Sequence, residues 1–241
     1  MAPNGTELRP VGALCPVGAN EQTCPDDSGA SFSPDSERIA FTQSTGRVKQ
    51  DRQGEGWIER SALAVMNRNG SARRVVYHGA PFSGDLRYPV FSPDGRQLVF
   101  ERQVSSFAKP AGKHAVYVIG LDGSGLRRLT RWSESDGDNP DWSPNGKWIL
   151  FHSHVDDSKG QSQYFLIRPD GTGHRQITHF RKGTHVASAS FSPNGRSIVF
   201  AKGPEGGNLD LYTMRLNGPR APPHPVASLA VRSCMGPALA S

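Results

Sequence analysis

Long apolar runs are missing from this 241-residue chain, and so is any stretch that keeps a helical apolar period over several turns. The first absence leaves no candidate membrane-spanning helix. The second, beside 27 glycines and 19 prolines, points to short strands broken by turns. Cysteine is held to three residues. Cys15 and Cys24, in a loop opened by Pro16 and Pro25, would pair in an oxidising compartment and leave Cys234 odd; in a reducing one they stay thiols. Met1 to Pro10 lacks the charged-then-apolar order of a secretory signal. No Gly-x-Ser-x-Gly elbow and no phosphate-cradling glycine loop at a strand-to-helix junction is present, which removes two frequent catalytic signatures. Gly206-Gly207 and Gly123-Ser124-Gly125 read as turns.

What is present is repetition. Phe32-Ser33-Pro34-Asp35-Ser36, Phe91-Ser92-Pro93-Asp94-Gly95, Trp142-Ser143-Pro144-Asn145-Gly146 and Phe191-Ser192-Pro193-Asn194-Gly195 share one pattern, with their prolines 59, 51 and 49 residues apart. That period suits a propeller blade or a solenoid turn. Proline presets φ, Ser and Asp suit a type I turn, and Gly supplies the left-handed residue leading into the next strand. Ser36 breaks this last rule, so the first blade should be the least regular. Each turn is followed by an apolar strand ending in Phe: Arg38 to Phe41, Arg96 to Phe100, Lys147 to Phe151 and Arg196 to Phe200. Asn69-Gly70, Asp122-Gly123, Asp170-Gly171 and Asn217-Gly218 then mark a second hairpin, followed by basic segments such as Leu126 to Thr130 and His174 to Thr178. One repeat is thus four antiparallel strands, A to D.

Arg-x-Leu-Thr, a variable loop, an aromatic residue before Ser-Pro-Asp-Gly, and a basic residue before Ile-x-Phe together resemble the TolB-like, WD-repeat-like β-propeller family over residues 4–218. The resemblance implies an all-β propeller of four recognisable blades. Relatives of this kind include periplasmic envelope proteins that bind protein partners, gating domains of serine peptidases and scaffolds of sugar lyases. It therefore implies a periplasmic or cell-exterior setting and leaves binding module and enzyme both open.

The expected organisation is an N-terminal outer strand and loop (1–29), propeller blades over 30–218 (30–77, 88–130, 139–178 and 188–218) and a Pro/Ala-rich tail (219–241). Residues 4–11 read like a D strand without its own blade. Pro219, Pro222, Pro223 and Pro225 stand where the last D strand belongs. Two outcomes are expected on equal terms: residues 5–12 pair beside 209–216 and close the ring, or the chain is a fragment of a larger propeller.

Alternating strand direction puts the A–B and C–D turns on one face and the B–C and D–A connections on the other. The second face carries the irregular loops, where binding usually resides. It also carries Trp57, Phe107, Trp132 and Phe180, contact candidates in a chain only 8% aromatic, beside Arg181 and Lys182. Each ring taken singly is better explained by packing over a blade edge, whereas the face as a whole reads as a binding surface. His152 and His154 alternate along one strand and point the same way, and His179 and His185 follow on the same face. With Asp156 and Asp157 they are the candidate ligands of a divalent metal. The net charge of +6 rests partly on Arg73-Arg74 and Arg127-Arg128, which fall on D strands, where basic residues discourage edge pairing. Acids accompany the rest, which argues against nucleic acid. The leading expectation is a non-catalytic propeller that needs no cofactor and binds a protein or peptide. The alternative is a metal-dependent, lyase-like enzyme acting on an anionic sugar.

Overall fold

The computed structural model describes residues 11, 26–44, 61–79, 86–106, 109–131, 139–156, 161–216 and 224–227. All regular structure among them is β, and none of it is a helix long and apolar enough to cross a membrane. The first sheet joins β1 (Asp26–Phe32), β2 (Arg38–Ser44), β3 (Ser61–Asn67) and β4 (Arg74–His78). The second joins β5 (Leu86–Phe91), β6 (Gln97–Ser106), β7 (Lys109–Gly120) and β8 (Arg127–Arg128). β9 (Asp141–Trp142), β10 (Ile149–Asp156), β11 (Gln161–Ile167) and β12 (Arg175–Gln176) make the third. β13 (Thr184–Phe191), β14 (Ser197–Pro204), β15 (Asp210–Arg215) and β16 (His224–Ala227) make the fourth. Every neighbouring pair is antiparallel, so each sheet is an A–B–C–D meander, a propeller blade.

The Ser-Pro turns explain why these segments become hairpins. In the second blade the Ser92 carbonyl accepts the Gly95 N–H at 2.8 Å, while the Ser92 hydroxyl donates to Asp94 Oδ1 at 2.5 Å and accepts the Gln97 N–H at 2.9 Å. Asp94 Oδ1 also accepts the Arg96 N–H at 3.1 Å. One hydroxyl and one carboxylate thus satisfy the backbone donors that a tight turn leaves without ladder partners. Asn145 and Asn194 make the same bonds in the third and fourth blades. The fourth turn residue is left-handed in every copy, at φ +67° in Gly95 and +59° in Ser36. Ser36 therefore carries the strain expected of the first blade.

Threonine in the Arg-x-Leu-Thr segment has an equally local cause. β8 and β12 hold only two residues each, too short to cover strand C, and the Thr130 and Thr178 hydroxyls accept the Val116 and Tyr164 N–H groups at 3.0 and 2.9 Å.

Three apolar clusters join the blades in sequence. Ala40, Leu63 and Val65 of the first blade meet Leu98, Phe100 and Ile119 of the second. Val99 and Val118 meet Ile149 and Phe151, and Leu150 and Leu166 meet Ile198 and Phe200. Full burial of such side chains contributes about 1.5–3 kcal/mol each, so neighbouring blades support one another. No comparable cluster joins the fourth blade to the first among the described residues, and the ring is open.

Two expectations are corrected here. The edge of β15 reserved for residues 5–12 is taken by β16, from within the expected tail, with Leu211 opposite Ala227 and Thr213 opposite His224. Pro225 is tolerated because strand D is an edge, where a missing N–H breaks no ladder. Val11 instead lies against Ile39, Phe41, Ala64 and Met66 on the outward face of the first blade. Its carbonyl approaches Gly70 so closely that a Cβ there would collide with it. Residues 4–10, with the rest of the expected N-terminal strand, lie outside the described residues. The irregular B–C loop expected of the second blade is largely strand, since β6 and β7 extend into a long hairpin. A buried Glu101–His114 contact stands at the base of that hairpin.

Candidate functional site

Among the described loops on the B–C and D–A face, the connection from the third to the fourth blade is held most firmly, and one residue does it. Gln163 of β11 is fully buried where the first and second blades have Ala62 and Ala115. Its Oε1 accepts the Thr178 hydroxyl at 2.8 Å and the Phe180 N–H at 2.9 Å, and its Nε2 donates to the Phe180 carbonyl at 3.1 Å. A buried amide is stable only when so satisfied, and here its partners fix both ends of one peptide segment. A turn follows, in which the Arg181 carbonyl accepts the Thr184 N–H at 3.2 Å with Gly183 at φ +77°. The result is a rigid loop with Arg181 and Lys182 exposed at its tip.

Phe180 itself is half-buried. Its ring packs on Phe200 at 5.9 Å, with the Lys202 ammonium 5.4 Å from its centroid. It is thus partly a packing residue of the blade interface, with the remainder of its surface turned to solvent. Trp57, Phe107 and Trp132, the other expected contact residues, lie outside the described residues.

Bulges shape the inner strands beneath this face. Gly29, Tyr88, Asn139 and Ser188 each stand three residues before the aromatic residue that precedes the Ser-Pro turn, and all have positive φ, from +27° to +59°. Pairing slips at Ser28/Ser31, Arg87/Val90 and Ala187/Ala189 accordingly. These positions meet between blades: Asn139 Nδ2 donates to Ser188 Oγ at 3.1 Å, and a Cβ on Gly29 would stand 3.3 Å from the Tyr88 nitrogen. Gly and Asn hint at such a bend in sequence, but Tyr88 and Ser188 hide it.

Comparison with known proteins fits this architecture. The family model described as the TolB beta propeller domain matches residues 31–222. The chain belongs to that family. Dipeptidyl-peptidase 5 of Porphyromonas endodontalis is 29% identical over 109 residues, which cover 45% of this chain and 15% of that protein. TolB from Acinetobacter baumannii has a similar structure, with a TM-score of 0.58 and 21% identity over 80% of this chain and 42% of that one. An oligogalacturonate lyase in complex with manganese gives a TM-score of 0.57 and 14% identity over 85% of this chain and 53% of the lyase. The two structural likenesses show the fold alone. The chain spans about a seventh of the peptidase and about half of either solved structure.

The candidate metal ligands are placed as follows. His152 of β10 is buried, edge-on to the Tyr164 ring at 6.1 Å. His179 is exposed, its Nδ1 3.1 Å from Gln176 Nε2, and His185 is exposed on β13. The His154 side chain and Asp157 lie outside the described residues. No group of three or more His, Cys, Asp or Glu side chains arranged to hold a metal ion occurs among the described residues.

The turn face is less plain than its stereotyped sequence implies. Between the turns of the second and third blades lies an open cleft of about 480 Å³ lined by Pro93, Asp94, Trp142, Pro144 and Asn145. Beside it, Trp148 is flanked by the Arg168 and Arg175 guanidinium groups at 5.4 and 4.9 Å. The outer-strand arginines have structural work in the first blade. Arg73 makes a two-pronged pair with Asp27 at 2.7 and 2.8 Å over the Phe41 ring, and Arg74 donates to the Leu121 carbonyl of the second blade at 2.8 Å.

Proposed function

We propose that this propeller is a non-catalytic scaffold that takes a protein or peptide partner on its B–C and D–A face. The supporting observation is the 179–183 loop. A loop already fixed in one shape loses little conformational freedom on binding. Gln163 fixes this one with three hydrogen bonds, and Arg181 and Lys182 are thereby presented in place for acidic or carbonyl groups of a partner. Phe180 adds an aromatic surface backed by Phe200. Trp57, Phe107 and Trp132 are assigned to the same face by chain order.

The test is co-precipitation of partners by the wild-type chain and by a variant with Trp57, Phe107, Trp132 and Phe180 all replaced by alanine. A specific partner should be lost from the variant. Gln163→Ala, which gives this position the residue type of the first and second blades, should weaken the same partner about tenfold while the fold survives. Undiminished capture by both variants excludes this face.

A further inference from the structure

The turn ends of the blades can be matched position by position, because the same backbone bonds recur in each. The carbonyls of Arg38, Gln97, Trp148 and Ser197 all accept the N–H of the turn serine, and Arg168 takes the place that Asn67 and Gly120 hold in the earlier C–D turns. Only the third blade thus sets an indole beside a guanidinium there. Arg175 of β12 corresponds by ladder pairing to Arg74 of β4.

The blades differ in what these cations meet. Each described arginine of the first blade has an acceptor: Arg38 the Gly95 carbonyl at 3.2 Å, Arg68 the Glu37 carboxylate at 4.0 Å, Arg73 Asp27, and Arg74 the Leu121 carbonyl. In the third blade Lys147 replaces Glu37, and none of Lys147, Arg168 and Arg175 has a carboxylate within 4 Å among the described residues. Both guanidinium groups lie instead over the Trp148 ring, 5.4 and 4.9 Å from its centroid, a spacing over which salt screens like charges only partly. A guanidinium held by a ring keeps its in-plane N–H donors open.

Lys147, Trp148, Arg168, Pro169 and Asp170 line an open cleft of about 390 Å³ at this point. Its one lining acid is committed to its own turn: Asp170 Oδ1 accepts the Thr172 N–H at 2.8 Å and the Thr172 hydroxyl at 2.7 Å. Trp148 packs with Met214 and Leu216 of the fourth blade, so the site is internal to the stack of blades.

We infer that this cleft binds a phosphoryl group, whose oxygens take the Arg168 fork and the Lys147 ammonium while Arg175 adds a third positive charge. A carboxylate brings one negative charge and two oxygens. A phosphate monoester brings about two charges and three acceptor oxygens, the better match to three cations. The cleft is on the turn face, away from the B–C and D–A loops, so it stands or falls independently of the partner-binding reading.

Titration calorimetry of the full chain with inorganic pyrophosphate at low salt should show one saturable site, at least about tenfold tighter than for acetate. Arg168→Gln should weaken it about tenfold. Arg196→Gln removes the same charge from the equivalent turn of the fourth blade and should change nothing, with thermal unfolding confirming that both variants fold. Co-sedimentation with phosphatidylcholine vesicles containing phosphatidic acid separates the sources of the group. Arg168-dependent capture by these vesicles alone assigns it to a lipid headgroup, and pyrophosphate binding without capture to a soluble phosphorylated ligand; both together mean that the phosphoryl group suffices. Absence of both, equal affinity for acetate, or an equal loss in the Arg196→Gln chain overturns the inference.

Discussion

Phe200→Ala should cost about 3–5 kcal/mol of unfolding free energy, a large share of the roughly 5–15 kcal/mol typical of a domain. Phe200 is 1% exposed, and three rings surround it: Tyr164 edge-on at 5.1 Å, Tyr212 stacked at 5.9 Å and Phe180 tilted at 5.9 Å. Tyr164 also donates to the Ala187 carbonyl at 2.9 Å, so the cavity would open beside the hydrogen bond that ties the third blade to the fourth. Chemical denaturation measures the loss. Phe32→Ala is the matched control, the same residue type at a turn-end position 60% exposed, and should change stability by less than about 0.5 kcal/mol. Because Phe200 also backs Phe180, the core variant should weaken partner binding as well.

Stability should fall as pH rises from about 4 to 6, through one buried carboxyl. Burial pushes Asp141 up from its ordinary 3.8 to about 6, against the N–H groups of Phe191 and Trp142, which pull the other way. The folded state therefore holds a proton that the unfolded state releases between these values, and ∂ΔG/∂pH is negative across that window. The contribution is fully present below the unfolded value and lost above the folded one, about 3 kcal/mol in all. Asp141→Asn keeps an oxygen to accept the Phe191 N–H, bonded at 2.8 Å, and carries no charge. It should stabilise the protein at pH 8 and leave it unchanged at pH 4, as thermal unfolding at the two pH values would show. A neutral-pH variant less stable than wild type would mean that the carboxylate is held by its partners better than burial opposes it. The turn carboxylates work in the opposite sense. Asp94 is held below the usual range first by the Ser92 hydroxyl and then by the Arg96 N–H, so its contribution is present above pH 4 and lost on further acidification.

The blades are legible because their signals are local. A Ser-Pro-Asp-Gly turn is specified by five neighbouring residues whose hydrogen bonds all close within the turn, and Ile-x-Phe strands declare their burial by composition. The last strand is obscured because Pro225 reads as a breaker unless the strand is known to be an edge, a fact about position in the sheet. Gln163 is hidden for a related reason. A glutamine in a strand resembles a solvent-facing residue until its three partners, two of them in a loop seventeen residues on, are seen around it. Phe180 is half legible: chain order puts it in a D–A connection, whereas its packing on Phe200 depends on a strand twenty residues away in sequence.

The proposed binding face is tested most directly by its contrast with the turn face, which carries the cleft between the second and third blades. Lys182, at the tip of the Gln163-fixed loop, and Lys147, beside Trp148 on the turn face, are both exposed, and each is replaced in turn by a photoreactive phenylalanine derivative. Irradiation with partners present should yield a discrete cross-linked species from position 182 and none from position 147. Cross-linking from 147 alone would contradict the account and move the binding surface to the turn face.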